Sequence, residues 1–175
     1  MIAIINASPL IYLGKIGALK FIPKLFSQCY TTNLIKNEIL SEKSAPEHTV
    51  LKESFSDWLI IKEPTNQKLK KKLEGLQIHP GEASIIALGK DFQDKVEENI
   101  LIIDDLSARE IARTLDLKIT GTVGIILKAM RLNIINKNEC KNLLRILIES
   151  TSFRISAPLY SKILRKIDDF QSKSK

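Results

Sequence analysis

With 175 residues, 44% of them hydrophobic, the chain is long and apolar enough for one domain with a core of its own, and no apolar run approaches the ~20 residues that would span a bilayer. A net charge of +7 and a pI near 9.4 favour anionic partners, nucleic acid among them, although a lysine excess also serves solubility alone. Cys29 and Cys140 lie far apart and lack metal-ligand spacing, so they read as reduced core residues of a cytoplasmic protein.

The opening segment, MIAIINASPLIYLGKIG, has no basic stretch before its apolar run and no obvious cleavage site, so it reads as strand and helix rather than signal peptide. Ile2 to Ile5 is a short unbroken apolar run ending at Asn6, the form of a strand buried on both faces. Ser8-Pro9 starts a helix, with Ser8 as N-cap and Pro9 in the first turn. Gly14 and Gly17 break that helix, and Leu19 to Phe26 resumes as a second short piece. Cys29 to Thr31 is a strand, and Thr32 or Asn33 caps a helix running to about Leu40. At about 100° per residue, Glu38 falls between Leu34 and Ile35, so the expectation is a carboxylate on the buried side. Ser41 to Val50 is polar and reads as a mobile loop.

Phe55 to Trp58 leads into a short strand at Leu59 to Ile61, stopped by Pro64. Thr65 to Gly75 carries Lys68, Lys70, Lys71 and Lys72 with few apolar residues, so it reads as a weakly packed helix. Its basic face either meets solvent or contacts an RNA backbone. His79-Pro80-Gly81-Glu82 opens the next helix, taken as 82–90, with Glu82 on the same side as Ile85, Ile86 and Gly89. A second acid thus faces inward.

The stretch 98–127 has the most structure in its pattern. Ile100 to Ile103 is a second buried strand, and it delivers Asp104 and Asp105 at its carboxyl end, where open α/β sheets hold ligands. Leu106 to Asp116 reads as a helix whose inner face is Ala108, Ile111, Ala112 and Leu115. Arg109 and Arg113 fall on its exposed face, paired with Glu110 or Asp116, or free for a substrate phosphate. Leu117 to Thr120 is a short strand, Thr120-Gly121-Thr122 turns into a largely buried helix ending at Arg131, and Lys137 to Glu149 is helical. Phe153 to Ser156 is extended, and Ala157 to Ile167 is a last helix before a polar, basic tail.

If the first and fourth strands lie side by side, Asn6, Glu38, Glu82 and the aspartates at 104 and 105 meet in one crevice. At about 4 Å and an effective dielectric of about 20, each like-charge pair costs on the order of 4 kcal/mol. Protonation, a basic partner or a bound cation must offset it. Oxygen ligands in an open cluster suit Mg²⁺ or Mn²⁺, which activate water and stabilise charge on a phosphodiester. Each residue also has a plainer role: Asp105 as a helix cap, Glu82 as a first-turn dipole partner, Glu38 reaching solvent, and Thr120-Gly121-Thr122 as a simple turn.

INASPLIYLGKIG, the helix with Glu38, HPGEASIIALGK, ILIIDDLSAR and KITGTVGIIL resemble, in order and spacing, the motifs of the PIN-domain family, most closely a VapC-like prokaryotic branch. The match runs from residue 2 to about 135, and FRISAPLYSKIL resembles that branch's ending. The resemblance implies a three-layer α/β/α fold around a parallel sheet of about five strands, with residues 1–135 as the domain and 136–175 as a helical extension packed on it. It also implies a ribonuclease site in which Glu38, Glu82, Asp104 and Asp105 match the acids that bind Mg²⁺ or Mn²⁺, and Ser8, Thr120 and Thr122 match hydroxyls beside them. Of Asp104 and Asp105, either could be the ligand; the reading adopted puts Asp104 on the cation with Glu38, Glu82 and the neutral Asn6, and Asp105 in support. Asn6 departs from the pattern, because the family usually has a metal-binding Asp there. An Asn can coordinate only through its neutral carbonyl oxygen, so the alternative is a weakened module that binds RNA or a protein without cutting.

The expected protein is therefore a metal-dependent endoribonuclease for single-stranded or structured RNA. The resemblance further implies the toxin of a toxin–antitoxin pair, with a small antitoxin protein as partner and a homodimeric state. A phospho-acceptor receiver domain also uses an acid pair at a strand end, but it needs that pair after the first strand, where this chain has Asn6.

Overall fold

The computed structural model describes residues 1–95 and 98–170. β1 (Ile2–Ile5) leads into α1 (Ala7–Lys15), and a 3-10 turn (Leu19–Phe21) with the short α2 (Ile22–Leu25) returns the chain to β2 (Gln28–Thr31). α3 (Asn33–Ile39) and α4 (His48–Asp57) precede β3 (Leu59–Ile61). α5 (Gln67–Glu74) and α6 (Pro80–Asp94) lead to β4 (Asn99–Ile102), and α7 (Leu106–Thr114) joins β4 to β5 (Ile119–Thr120). α8 (Thr122–Arg131), α9 (Lys137–Glu149) and α10 (Ala157–Asp168) follow. The expected basic tail beyond residue 170 lies outside the described residues.

The five strands form one parallel sheet in the order β3-β2-β1-β4-β5. The connections from β1 to β2 and from β2 to β3 step one way along the sheet, and those from β3 to β4 and from β4 to β5 step the other way. Right-handed crossovers therefore put the two sets of helices on opposite faces. The result is the expected three-layer α/β/α architecture. Strands covered on both faces must be apolar throughout, and Ile4, Ile5, Leu101 and Ile102 are fully buried.

Strand order reverses between β1 and β4, and their register sets what meets at that reversal. Ile5 pairs with Ile102, the Asn6 N–H donates to the Ile102 carbonyl at 3.0 Å, and the Ile103 N–H donates to the Thr120 carbonyl at 2.9 Å. The carboxyl ends of β1, β4 and β5 thus finish level, bringing Asn6, Asp104 and Gly121 to one edge. At the far end of the chain, Cys140, Leu144, Leu147, Ile163 and Ile167 of α9 and α10 bury into the same core cluster as the sheet. Both thiols are buried and free, and burial pushes Cys29 up to about 12 and Cys140 to about 11.

Four local expectations change. Asn6, not Ser8, occupies the N-cap position of α1, because the helix begins at Ala7 directly after the strand. The segment expected as a loop to Val50 turns helical at His48, because Glu47, Leu51 and Ser54 share a buried face and the Glu47 carboxylate lies 3.8 Å from the Lys15 ammonium of α1. The helix expected over 82–90 starts two residues earlier and runs to Asp94. In α3, Ile35 and Ile39 carry the packing, so Leu34 and Glu38 are exposed rather than inward.

Candidate functional site

Two helices bring Glu38 and Glu82 to the reversal point, and a buried polar bridge joins them. The Ser84 hydroxyl donates to the Gly81 carbonyl at 2.6 Å and lies 2.8 Å from the Thr32 hydroxyl. Ser84 has spent its one proton on Gly81, so Thr32 is the donor across the α3–α6 contact. Thr32, at the N-cap position of α3, makes no capping bond of its own. Gly81 lets the helices approach: a Cβ there would sit 2.7 Å from Ile35 Cδ1 and 3.4 Å from Glu38 Oε2. In sequence Gly81 reads only as part of a helix start, and the signal of a small residue beside an acid was available but not decisive.

His79 caps α6. Its Nδ1 accepts the Gly81 N–H at 3.3 Å, while the Glu82 carboxylate accepts the His79 N–H at 3.2 Å, a reciprocal capping box. His79 Nδ1 also lies 4.0 Å from Glu38 Oε2. A nitrogen that accepts the cap hydrogen bond carries no proton, so this contact is not an ion pair while the cap is made. Glu82 is half-buried, and burial pushes its carboxyl pKa up, reinforced by the charges of Asp105 and Glu38 and opposed by His79.

The adjacent aspartates are used differently. Asp104 turns toward β5 and α8, where its Oδ1 accepts the Thr122 N–H at 2.8 Å and its Oδ2 accepts the Thr122 hydroxyl at 2.5 Å. Burial nevertheless pushes its pKa up, against those two bonds and the nearby Arg109 guanidinium. Asp105 is exposed and caps α7, accepting the Ala108 N–H at 2.8 Å, and its charge acts on Glu82. Gly121 makes the Asp104 position possible, since a Cβ on it would meet Asp104 Oδ1 at 2.5 Å and Arg109 Nη1 at 3.0 Å. Asn6 is 4% exposed at the end of β1, and its side chain makes no capping bond. Ser8 and Thr120 are half-buried beside the same sheet edge, and Thr122 is fully buried.

Asp105 and Glu38 therefore both act on Glu82, whereas Asp104 is engaged with Thr122. Among the described residues no three of Asp, Glu, His and Cys stand close enough together to hold a metal ion. The donor set still suits a hard cation. Asn6, Glu38, Glu82 and Asp105 all offer oxygen, and the repulsion that raises Glu82 is a cost that positive charge would offset. Mg²⁺ in particular keeps several of its waters and is held by one or two carboxylates plus substrate phosphate, so it needs no closed protein cage.

Two consequences can be measured. Gly121→Ala should destabilise the fold by about 1–3 kcal/mol in urea unfolding. In an Asp104→Ala background the cost should fall below about 1 kcal/mol, because the crowded carboxylate is gone; an unchanged cost would refute the steric account. Glu82 has a folded pKa raised above its usual 4.5, so its contribution to stability is complete below that value and is lost as pH rises through the folded pKa. Glu82→Gln keeps an acceptor for the His79 N–H without the charge. In chelator it should match the wild type near about pH 4 and be more stable near about pH 8; the opposite trend in thermal unfolding would contradict the cause assigned.

A family model described as a PIN domain matches residues 2–169, nearly the whole described chain. Comparison with curated proteins and with solved structures finds no significant match. Proteins of this fold are nuclease-type and typically work with divalent metal ions and nucleic acid, and no helix among the described residues is long and apolar enough to cross a membrane. The parallel sheet, its reversal between β1 and β4, the acids gathered at that edge and the full-length match agree: this chain belongs to the PIN-domain family.

Proposed function

We propose that the protein is a metal-dependent endoribonuclease for single-stranded RNA, with Glu82 and Asp105 as the charged ligands of a largely hydrated Mg²⁺ or Mn²⁺, Asn6 as a neutral one and Glu38 adding its charge beside them. The observation that supports this most is the shared electrostatic environment of Glu82, Asp105 and Glu38 at the edge where strand order reverses. When bound, the cation supplies a lowered water pKa and neutralises charge on the phosphodiester. The His79 N–H holds the Glu82 carboxylate at the start of α6, so that ligand is in place before a cation arrives. Asp105 contributes charge from a fixed cap, because the Ala108 N–H holds its carboxylate. Asp104 acts as an anchor: its bonds to Thr122 tie the end of β4 to the start of α8. Ser8 and Thr120 are hydroxyls available to order water beside the phosphate. In this reading 1–135 form the nuclease domain and the following helices a packed extension. On the family resemblance we further propose a cytoplasmic, homodimeric toxin held in check by a small antitoxin protein.

One observation favours a second reading. Asn6 brings no charge to the position between β1 and β4, which leaves the cation with fewer counter-charges and weakens its hold. The protein would then bind RNA and cut it poorly or not at all.

Incubation of the purified chain with labelled single-stranded RNA and Mn²⁺, with and without chelator, separates the two. Cutting that chelator stops, and that Glu82→Gln and Asp105→Asn each reduce by about 100-fold or more, is the result expected of the enzyme. Asp104→Asn should cost less, because Asn still offers an oxygen to Thr122. Cutting by Asn6→Asp alone would establish the weakened module, and cutting by Glu82→Gln at the wild-type rate would overturn the assigned site.

A further inference from the structure

The second face of the Asp104 corner is a cavity of about 580 Å³, formed by α7, the β5–α8 turn, residues 153–156 and the start of α10. Three arginines line it: Arg109, Arg113 and Arg154. Asp104 is the only acid among the lining residues. Arg113, expected to pair with Glu110 or Asp116, forms no ion pair among the described residues, and neither do Arg109 and Arg154. Arg109 donates instead to the Ile103 carbonyl at 2.9 Å, and Arg154 donates to the Phe153 carbonyl at 3.2 Å. Arg109 also feels Arg113 as a repelling neighbour. Asp104 offsets part of the Arg109 charge, and three guanidiniums against one carboxylate leave the lining a net positive field, which an anion relieves. The lining also includes the apolar side chains Val123, Leu127 and Phe153, the last packed edge-on against Tyr12.

We propose that this cavity is a strand-binding subsite, in which Arg109, Arg113 and Arg154 hold a backbone phosphate of single-stranded RNA and the apolar lining holds a base. The assignment rests on the nuclease reading above, since it takes the same polymer for the strand. Its location supports it: Asp104 and Asp105 are adjacent in sequence, one facing this cavity and the other acting on Glu82. A strand crossing that corner would seat one phosphate at the arginines and present the next stretch to the acids. The occupant is a phosphodiester strand rather than an acidic peptide, because forked guanidiniums match phosphate oxygens and the apolar side chains beside them can take the face of a base.

The test reads binding without cutting. In a Glu82→Gln background with chelator, the affinity for a labelled RNA strand of roughly 12 nucleotides is measured over a range of salt. Arg113→Ala combined with Arg154→Ala should weaken binding at least about tenfold and make the slope of log affinity against log salt shallower by about 1.4, about 0.7 for each arginine. Both residues are exposed, so neither truncation opens the core. Arg145→Ala, which removes an arginine paired with Glu149 on α9, should leave affinity and slope as they were. Unchanged binding by the double variant would overturn the subsite, and so would displacement of the strand by polyglutamate at equal charge concentration. A chain that never cuts but binds through Arg113 and Arg154 keeps the subsite and loses only the nuclease reading. A chain that cuts while the double variant binds normally does the reverse.

Discussion

Thr122 decides what the acid pair at the end of β4 can do. By donating both its backbone N–H and its hydroxyl to Asp104, it draws that carboxylate toward α8 and ties β4 to the helix after β5. Asp105, one residue on, is then committed to the other side, where it caps α7 and raises the pKa of Glu82. One residue of chain thus divides an anchoring carboxylate from one that shapes the field at the sheet edge. The division depends on Gly121, whose missing side chain leaves room for Asp104. It also depends on the level finish of β4 and β5, fixed by the bond from the Ile103 N–H to the Thr120 carbonyl.

The remaining acids are held by packing rather than by charge. Glu38 and Glu82 repel, yet the helices that carry them meet across Thr32, Ser84 and Gly81, a buried contact in which every proton has an acceptor. The apolar residues Ile35 and Ile85 beneath it are fully buried. Folding therefore brings together charges that would not associate unaided, a cost that positive charge would offset. The same corner of the molecule shows the opposite sign on its other face, where Arg109, Arg113 and Arg154 line one cavity with Asp104 as its single carboxylate.

Much of this was legible in the residues themselves. Ile2–Ile5 and Lys137–Glu149 have the predicted bounds, because an unbroken apolar run and a well-capped amphipathic pattern leave little choice of state. α4 was hidden because, of the buried positions along that side, the N-cap Glu47 and Ser54 are polar, so its inner side does not look apolar. The direction of Asp104 could not be read locally, since it is set by a residue eighteen positions later. The inward reading of Glu38 failed for a related reason: α3 is buried along Ile35 and Ile39, and rotation of that arc by a fraction of a turn moves Leu34 and Glu38 outward. Arg113 and Arg154 are far apart in sequence, and only the fold shows that they line one cavity.

The central claim is that Asp105, and not Asp104, shares its field with Glu82. Side-chain NMR titration of Glu82 in chelator tests it directly, with Asp105→Asn and Asp104→Asn compared against the wild type. The account predicts that Asp105→Asn lowers the Glu82 pKa toward its ordinary value and that Asp104→Asn leaves it where it was. A Glu82 pKa that moves with Asp104 and ignores Asp105 would contradict it.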